Sequence, residues 1–279
     1  MMRSLYSGVT GLNANKKYMD TIGDNIANVN TPGFKSSTPS FANVLNQTTN
    51  IVTSNVNSGF SGNEIGNGVA VVGLRFDWTQ GPLQSTGNAT DLSINGGGFF
   101  GVSDGTELFF TRAGDFSFDK DGNLITLSGM NVQGYDLQNG NNPPVVGTDT
   151  PQDIHIDLDQ WESISVDNNG IFYGIETANP DNGPQALWQV SLYEFANING
   201  LGKMSNNLWR QTSDSGDAVV GIPGDGDFGN VISSTLEISN VDLATEFVNM
   251  ITAQRAFQAN SRVITTSDEM LAELINIKR

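Results

Sequence analysis

An α+β fold is predicted, with a long helix at each end of the chain and a central, mainly antiparallel β-domain. Three observations carry this expectation. Apolar residues recur every seven positions from Leu5 to Ile26 and again from Leu243 to Leu271. Between those stretches, short alternating runs are punctuated by Gly-, Asn- and Asp-rich turn signals. Gly is abundant, at 32 of 279 residues, while charged residues make up only 15%; this composition favours turns over charge-driven disorder.

Residues 1–33 read as the first helix. Leu5, Leu12, Met19 and Ile26 form one stripe, thickened by Ile22 and Val29. Thr31-Pro32-Gly33 ends it, because Pro restricts the residue before it and Gly permits a sharp turn. Residues 34–70 are polar and read as an extended arm or loop, with Phe41-Ala42-Asn43-Val44-Leu45 as a single helical turn.

Residues 71–235 read as the β-domain, with 136–187 as a small elaboration on it. Phe116-Ser117-Phe118 and Leu124-Ile125 flank Asp119-Lys120-Asp121-Gly122-Asn123, the pattern of a hairpin. Ile154, Ile156 and Leu158 alternate with Asp153, His155, Asp157 and Asp159, as in a half-buried strand. Asp214 to Asn230 reads as a loop.

Residues 236–279 read as the second helix. Ser239 to Asp242 supplies N-cap candidates, and Lys278 and Arg279 suit the negative end of the helix dipole. Its stripe is Leu243, Met250, Phe257, Ile264 and Leu271, flanked by Phe247, Ala253, Leu274 and Ile275. All the expected strands are central, so the simplest partner for each stripe is the other. The pair is expected to be coiled-coil-like, antiparallel or parallel. The second stripe outlasts the first, which leaves apolar surface for other copies. A self-contained helical hairpin remains the alternative at this point.

Several function classes recede. Net charge is −17 with 13 scattered Lys and Arg, unsuited to neutralising phosphates, so no nucleic-acid partner is expected. The chain has no Cys, which excludes disulfides and thiolate chemistry. No apolar run approaches the roughly 20 residues of a membrane span, so no membrane insertion is expected, and the opening residues lack a signal-peptide core. His155 is the single histidine, and no Gly-x-Ser-x-Gly nucleophile elbow accompanies it. Asp119 to Asn123 lacks the remainder of a calcium loop, and Gly96-Gly97-Gly98 lacks the Lys-Ser/Thr of a phosphate loop. No catalytic residue, cofactor or metal is expected. A secreted binding module using Trp161, Tyr173 and Trp188 is the remaining competitor.

Motifs at both ends and in the middle carry a specific resemblance. They include Met2-Arg3-Ser4-Leu5-Tyr6, Asn25-Ile26-Ala27-Asn28 and Gly33-Phe34-Lys35; Gly81-Pro82-Leu83, Gly98-Phe99-Phe100 and Thr111-Arg112-Ala113-Gly114-Asp115-Phe116; and Ser239-Asn240-Val241-Asp242-Leu243 and Gln254-Arg255-Ala256-Phe257. Together they resemble the family of flagellar hook and rod proteins, over roughly residues 1–135 and 188–279. Met2 to Tyr6 and Ala259 to Thr266 look more like its short hook proteins, with the distal rod protein as the alternative.

The resemblance implies a structural subunit of a helical homopolymer located in the extracellular flagellum. Its partners would be further copies of itself, rod and hook–filament junction proteins, and a hook cap during assembly. It also implies uncleaved export through the flagellar type III apparatus, for which Phe41 and Leu45 resemble an export-gate segment. Leu5, Leu12, Met19, Ile26, Leu243, Met250, Phe257, Ile264 and Leu271 are the expected inner-tube contacts. In a free monomer these helices lack partners to offset their conformational entropy, so they are expected to be largely disordered.

Overall fold

The computed structural model describes residues 2–44, 47–48, 64–138, 150–178 and 183–277. The chain divides into two compact units. One comprises Met1–Asn28, Ser36–Asp77 and Val241–Arg279; the other comprises Val29–Lys35 and Trp78–Asn240.

The first unit is built on two helices, α1 (Met2–Ala27) and α2 (Leu243–Ile277). Asp242 starts α2. Its carboxylate accepts from the Ala244 N–H at 3.0 Å and the Thr245 hydroxyl at 2.7 Å, and its carbonyl accepts the Glu246 N–H. These bonds satisfy donors that a helix start leaves unpaired. Along α2 the hydroxyls of Ser261, Thr266 and Ser267 donate to carbonyls one turn back, so a Ser- and Thr-rich helix meets its own polar demand. α1 stops at Ala27, earlier than the Thr31-Pro32-Gly33 signal suggests. Asn28 closes it, its backbone and side-chain N–H groups both donating to the Asp24 carbonyl.

Residues 34–70 are not simply an arm. Ser37–Asn43 pairs antiparallel with Val69–Phe76, from Ser37 opposite Phe76 to Asn43 opposite Val69. A bulge separates Ser40 from Phe41. Phe41, Ala42 and Asn43 are therefore strand and not a helical turn; Leu45 lies outside the described residues. This two-stranded sheet packs on α1, with Phe41 edge-on to Tyr18 at 5.9 Å. The expectation that the helices have no sheet to lie on is corrected accordingly.

The second unit is an antiparallel β-structure. Its main path runs, in spatial order, through Trp161–Val166, Ile171–Glu176, Gln185–Val190, Asn131–Asp136, Phe99–Ser103, Leu108–Thr111, Leu208–Arg210 and Gly202–Lys203. Among the described residues of 136–187, Trp161–Val166, Ile171–Glu176 and the start of Gln185–Val190 supply strands to this path. The loop expected from Asp214 to Asn230 contains the strand Val219–Gly221. Alternation along the strands gives two apolar layers. Phe100, Val102, Val132, Phe172, Val190 and Leu208 join one core. Phe99, Phe110 and Phe195 stack edge to face in the other. Ile154 and Ile156 are fully buried while His155 and Asp157 are exposed, although only Gln152–Asp153 is regular strand there. Leu236 and Glu237, assigned to the second helix from sequence, lie instead in the strand Thr235–Glu237.

Candidate assembly surface

α1 and α2 lie side by side and antiparallel. Ser4 meets Ser267, with 3.4 Å between the hydroxyls, and Asn25 donates to the Glu246 carboxylate at 3.0 Å. Between these, a Cβ added at Gly8 would come within 3.1 Å of Ile264, and one added at Gly11 within 2.7 Å of the Asn260 amide. Small residues thus let the backbones approach. The fully buried positions are Gly8, Gly11, Ala14, Ile22 and Asn25 on α1, and Glu246, Ala253 and Ser267 on α2.

The sequence-derived stripe sits beside this line and not on it. Leu5, Leu12, Met19, Ile26, Met250, Phe257, Ile264 and Leu271 are only half-buried, and Leu243 is exposed. Further apolar side chains stand free in solvent: Phe247 and Ile251 near the start of α2, and Val263, Met270, Leu274 and Ile277 toward its end. At 100° per residue these two groups centre about 130° apart around the helix. Sequence reading missed most of them because Val263, Met270 and Ile277 keep the seven-residue spacing one position before the stripe residues Ile264 and Leu271, and Ile251 follows Met250 directly.

A second feature lies between α1 and the two-stranded sheet. Two adjoining hollows, of about 390 and 230 Å³, share Lys17 and Val71 and run along α1 from Thr10 to Thr21. Val72 and Leu74 on this rim are exposed.

The second unit holds a buried ionic anchor. Glu237 accepts from the Lys35 ammonium at 2.7 Å and lies 3.5 Å from the Arg112 guanidinium, all three almost completely buried. The Gly81 N–H donates to the same carboxylate, and the Gly33 N–H to the Glu237 carbonyl. Lys35 also donates to the Thr79 carbonyl, and Asn240 does the same. Burial lowers the Arg112 pKa, and the Glu237 charge opposes that shift. Gly33 adopts φ +67° with its Cα against the Ala113 backbone, where any side chain would collide.

Three family descriptions match the chain: flagella basal body rod protein over residues 5–35, the flagellar hook protein FlgE/F/G D1 domain over 93–174, and the flagellar basal body rod FlgEFG protein C-terminal region over 232–277. The flagellar basal-body rod protein FlgG of Bacillus subtilis (strain 168) is 40% identical over 282 positions, covering 100% of both chains. That of Agrobacterium fabrum is 39% identical, covering 96% of this chain and 97% of its own. The chain belongs to the flagellar hook and basal-body rod protein family. The flagellar hook protein FlgE of Escherichia coli is more distant, 26% identical over 411 positions that cover 97% of this chain and 98% of its own.

Proteins of the hook and rod family are structural and not enzymes, and this one is no exception. The family motifs acquire a physical reason: Gly33 and Lys35, Gly81, and Arg112 come from three separate motifs and meet at Glu237. Glu237 itself carries no sequence signal beyond being the single acid of the strand Thr235–Glu237.

The other polar groups have local roles. His155 shares a 3.0 Å hydrogen bond with Asn123 at the surface, and Asp153 bonds Asn131 and Gln133. Asp119 to Asn123 is a hairpin turn, closed by the Asp119 N–H donating to the Asn123 carbonyl. Among the described residues, no three His or acidic side chains are grouped to hold a metal. Trp188 is buried, so the aromatic platform of a binding module is not present as expected.

Proposed function

We propose that the chain is the subunit of the distal rod of the flagellar basal body. The carrying observation is colinearity. The Bacillus subtilis rod protein aligns over 282 positions with complete coverage, whereas the Escherichia coli hook protein needs 411 positions to align with 97% of this chain. The hook relative therefore carries long insertions that this chain lacks. The distal-rod reading replaces the hook expected from the terminal motifs.

In this reading the terminal helices form a coiled-coil-like inner layer and the β-unit the outer layer of a tube. The half-buried stripe and the exposed flanks of α2 are covered by neighbouring copies. A fully buried Leu or Met contributes about 1.5–3 kcal/mol relative to exposure, so a dozen such side chains give a large drive, partly offset by ordering. Head-to-tail contacts that do not close a ring generate an open helical filament. The chain travels through the flagellar type III apparatus, and its partners are its own copies and the adjoining rod and hook proteins. Phe41, exposed on its strand, is retained as part of the export segment.

Deletion of the chain tests this reading. Basal bodies from such cells should carry a shortened rod and no hook. A complete rod lacking only its hook would restore the hook reading.

A further inference from the structure

We infer that the groove between α1 and the strand Val69–Phe76 is the socket for the end of α2 from a second copy. This rests on the polymer reading above and specifies one of its contacts.

Three observations point to that occupant. The first is length. Ser4 lies beside Ser267, so in antiparallel register Met2, the first described residue of α1, falls beside Glu269. Met270–Ile277 therefore extends past the described start of α1, by ~12 Å at ~1.5 Å per residue. The groove follows α1 from Thr10 to Thr21, ~17 Å by the same rise, and can take the whole overhang.

The second is apolar match. On the socket side Val72 is 72% exposed and Leu74 54%, an unusual load for a two-stranded sheet. On the overhang Leu274 is 49% exposed and Ile277 80%. Leu274 and Ile277 are three residues apart and share one helix face.

The third is charge. In a chain of net charge −17, Lys17 lines both hollows beside a single acid, Asp20, and the cations Lys16 and Arg75 are the sequence neighbours of the lining residues Lys17 and Leu74. The α2 end presents Asp268, Glu269 and Glu273 with no cation before Lys278. All of these groups through Glu273 are exposed, and among the described residues none has an ion pair. Opposite potentials steer docking and fix register. A second copy supplies both halves of the match, and the contact is heterologous, as an open filament requires.

The absence of Cys makes the test clean. Val72→Cys and Leu274→Cys are introduced together, and each alone, in cells that make no other copy of the chain. Hook–basal bodies are isolated and treated with a short bis-maleimide. The double variant should give a ladder of covalent multimers, because each copy offers one socket and one plug; neither single variant should exceed a dimer. A second measurement uses charge. Lys17→Glu and Glu273→Lys should each reduce the number of complete basal bodies per cell, by about tenfold, and their combination should restore most of it. Normal rods with no ladder, or with linkage only inside one chain, would overturn the socket and leave the rod assignment standing. Failure of the charge pair to rescue would also overturn it. Loss of rods throughout, with hooks decorated by the chain in otherwise unmodified cells, would overturn the rod reading as well.

Discussion

Glu237 is where a single atom change should cost most. Its carboxylate serves two buried cations and one backbone N–H, so Glu237→Gln withdraws one buried negative charge from both Lys35 and Arg112. Breaking a buried pair from one side costs about 3–5 kcal/mol, and the urea midpoint of the purified chain should fall accordingly. Little of this was legible beforehand. The sequence motifs drew attention to Gly33, Lys35, Gly81 and Arg112, but their convergence depends on chain passes more than 100 residues apart. Asn25 is a comparable case in the helical unit. Its amide donates to the Ser37 carbonyl and to Glu246, and its oxygen accepts the Ser37 N–H. Asn25→Ala strands those groups at a cost of about 1–3 kcal/mol, again readable as a lower denaturation midpoint.

α2 is the element whose properties are most open to titration. The Thr245 hydroxyl and the Ala244 N–H hold the Asp242 carboxyl below its ordinary range. A depressed carboxyl stabilises the helix above its unfolded pKa, and that contribution is lost as pH falls through the folded one. Helicity measured by circular dichroism should therefore drop in acid below the usual carboxylate range. Asp242→Asn should keep the cap and remove that pH dependence, whereas Asp242→Ala should lower helicity at every pH. Both long helices were plain from periodicity, yet the seam between them was not. Gly8, Gly11, Ala14, Ala253 and Ser267 are too small to register in a hydrophobic stripe, and closeness of backbones is what they provide. The strand Ser37–Asn43 was hidden for another reason. It is polar and contains Pro39, and its partner begins at Val69, so only a non-local pairing defines it. The flank of α2 gives the sharper assembly test than the stripe. Phe257 is half-buried, so Phe257→Asp disturbs the helix pair as well as any neighbour contact. Phe247 is 51% exposed. Phe247→Asp should leave the chain folded, with unchanged near-ultraviolet circular dichroism, while abolishing rods in electron micrographs of basal bodies.

At the scale of the whole molecule, the two units divide the work. The β-unit has a closed core, with Leu92, Phe100, Val132 and Ile154 fully buried, and needs no neighbour. The helical unit leaves apolar side chains in water along much of α2, the surface that the proposed rod would cover. Hydrogen exchange on the purified monomer should be faster in α1 and α2 than in the strands Phe99–Ser103 and Asn131–Asp136. The α+β class was readable from the terminal heptads and the central turn pattern, and the family from motifs at both ends and in the middle of the chain. Rod versus hook was not, because the motifs shared by the family lie in the helices and the anchor, and what separates the relatives is sequence this chain lacks. The most direct test of the central claim is immunogold electron microscopy of hook–basal bodies from cells whose copy of the chain carries an epitope in the exposed turn at Leu127-Ser128-Gly129. Gold along the straight rod, revealed once the outer rings are stripped, is the predicted result; gold along the curved hook outside the cell would contradict it.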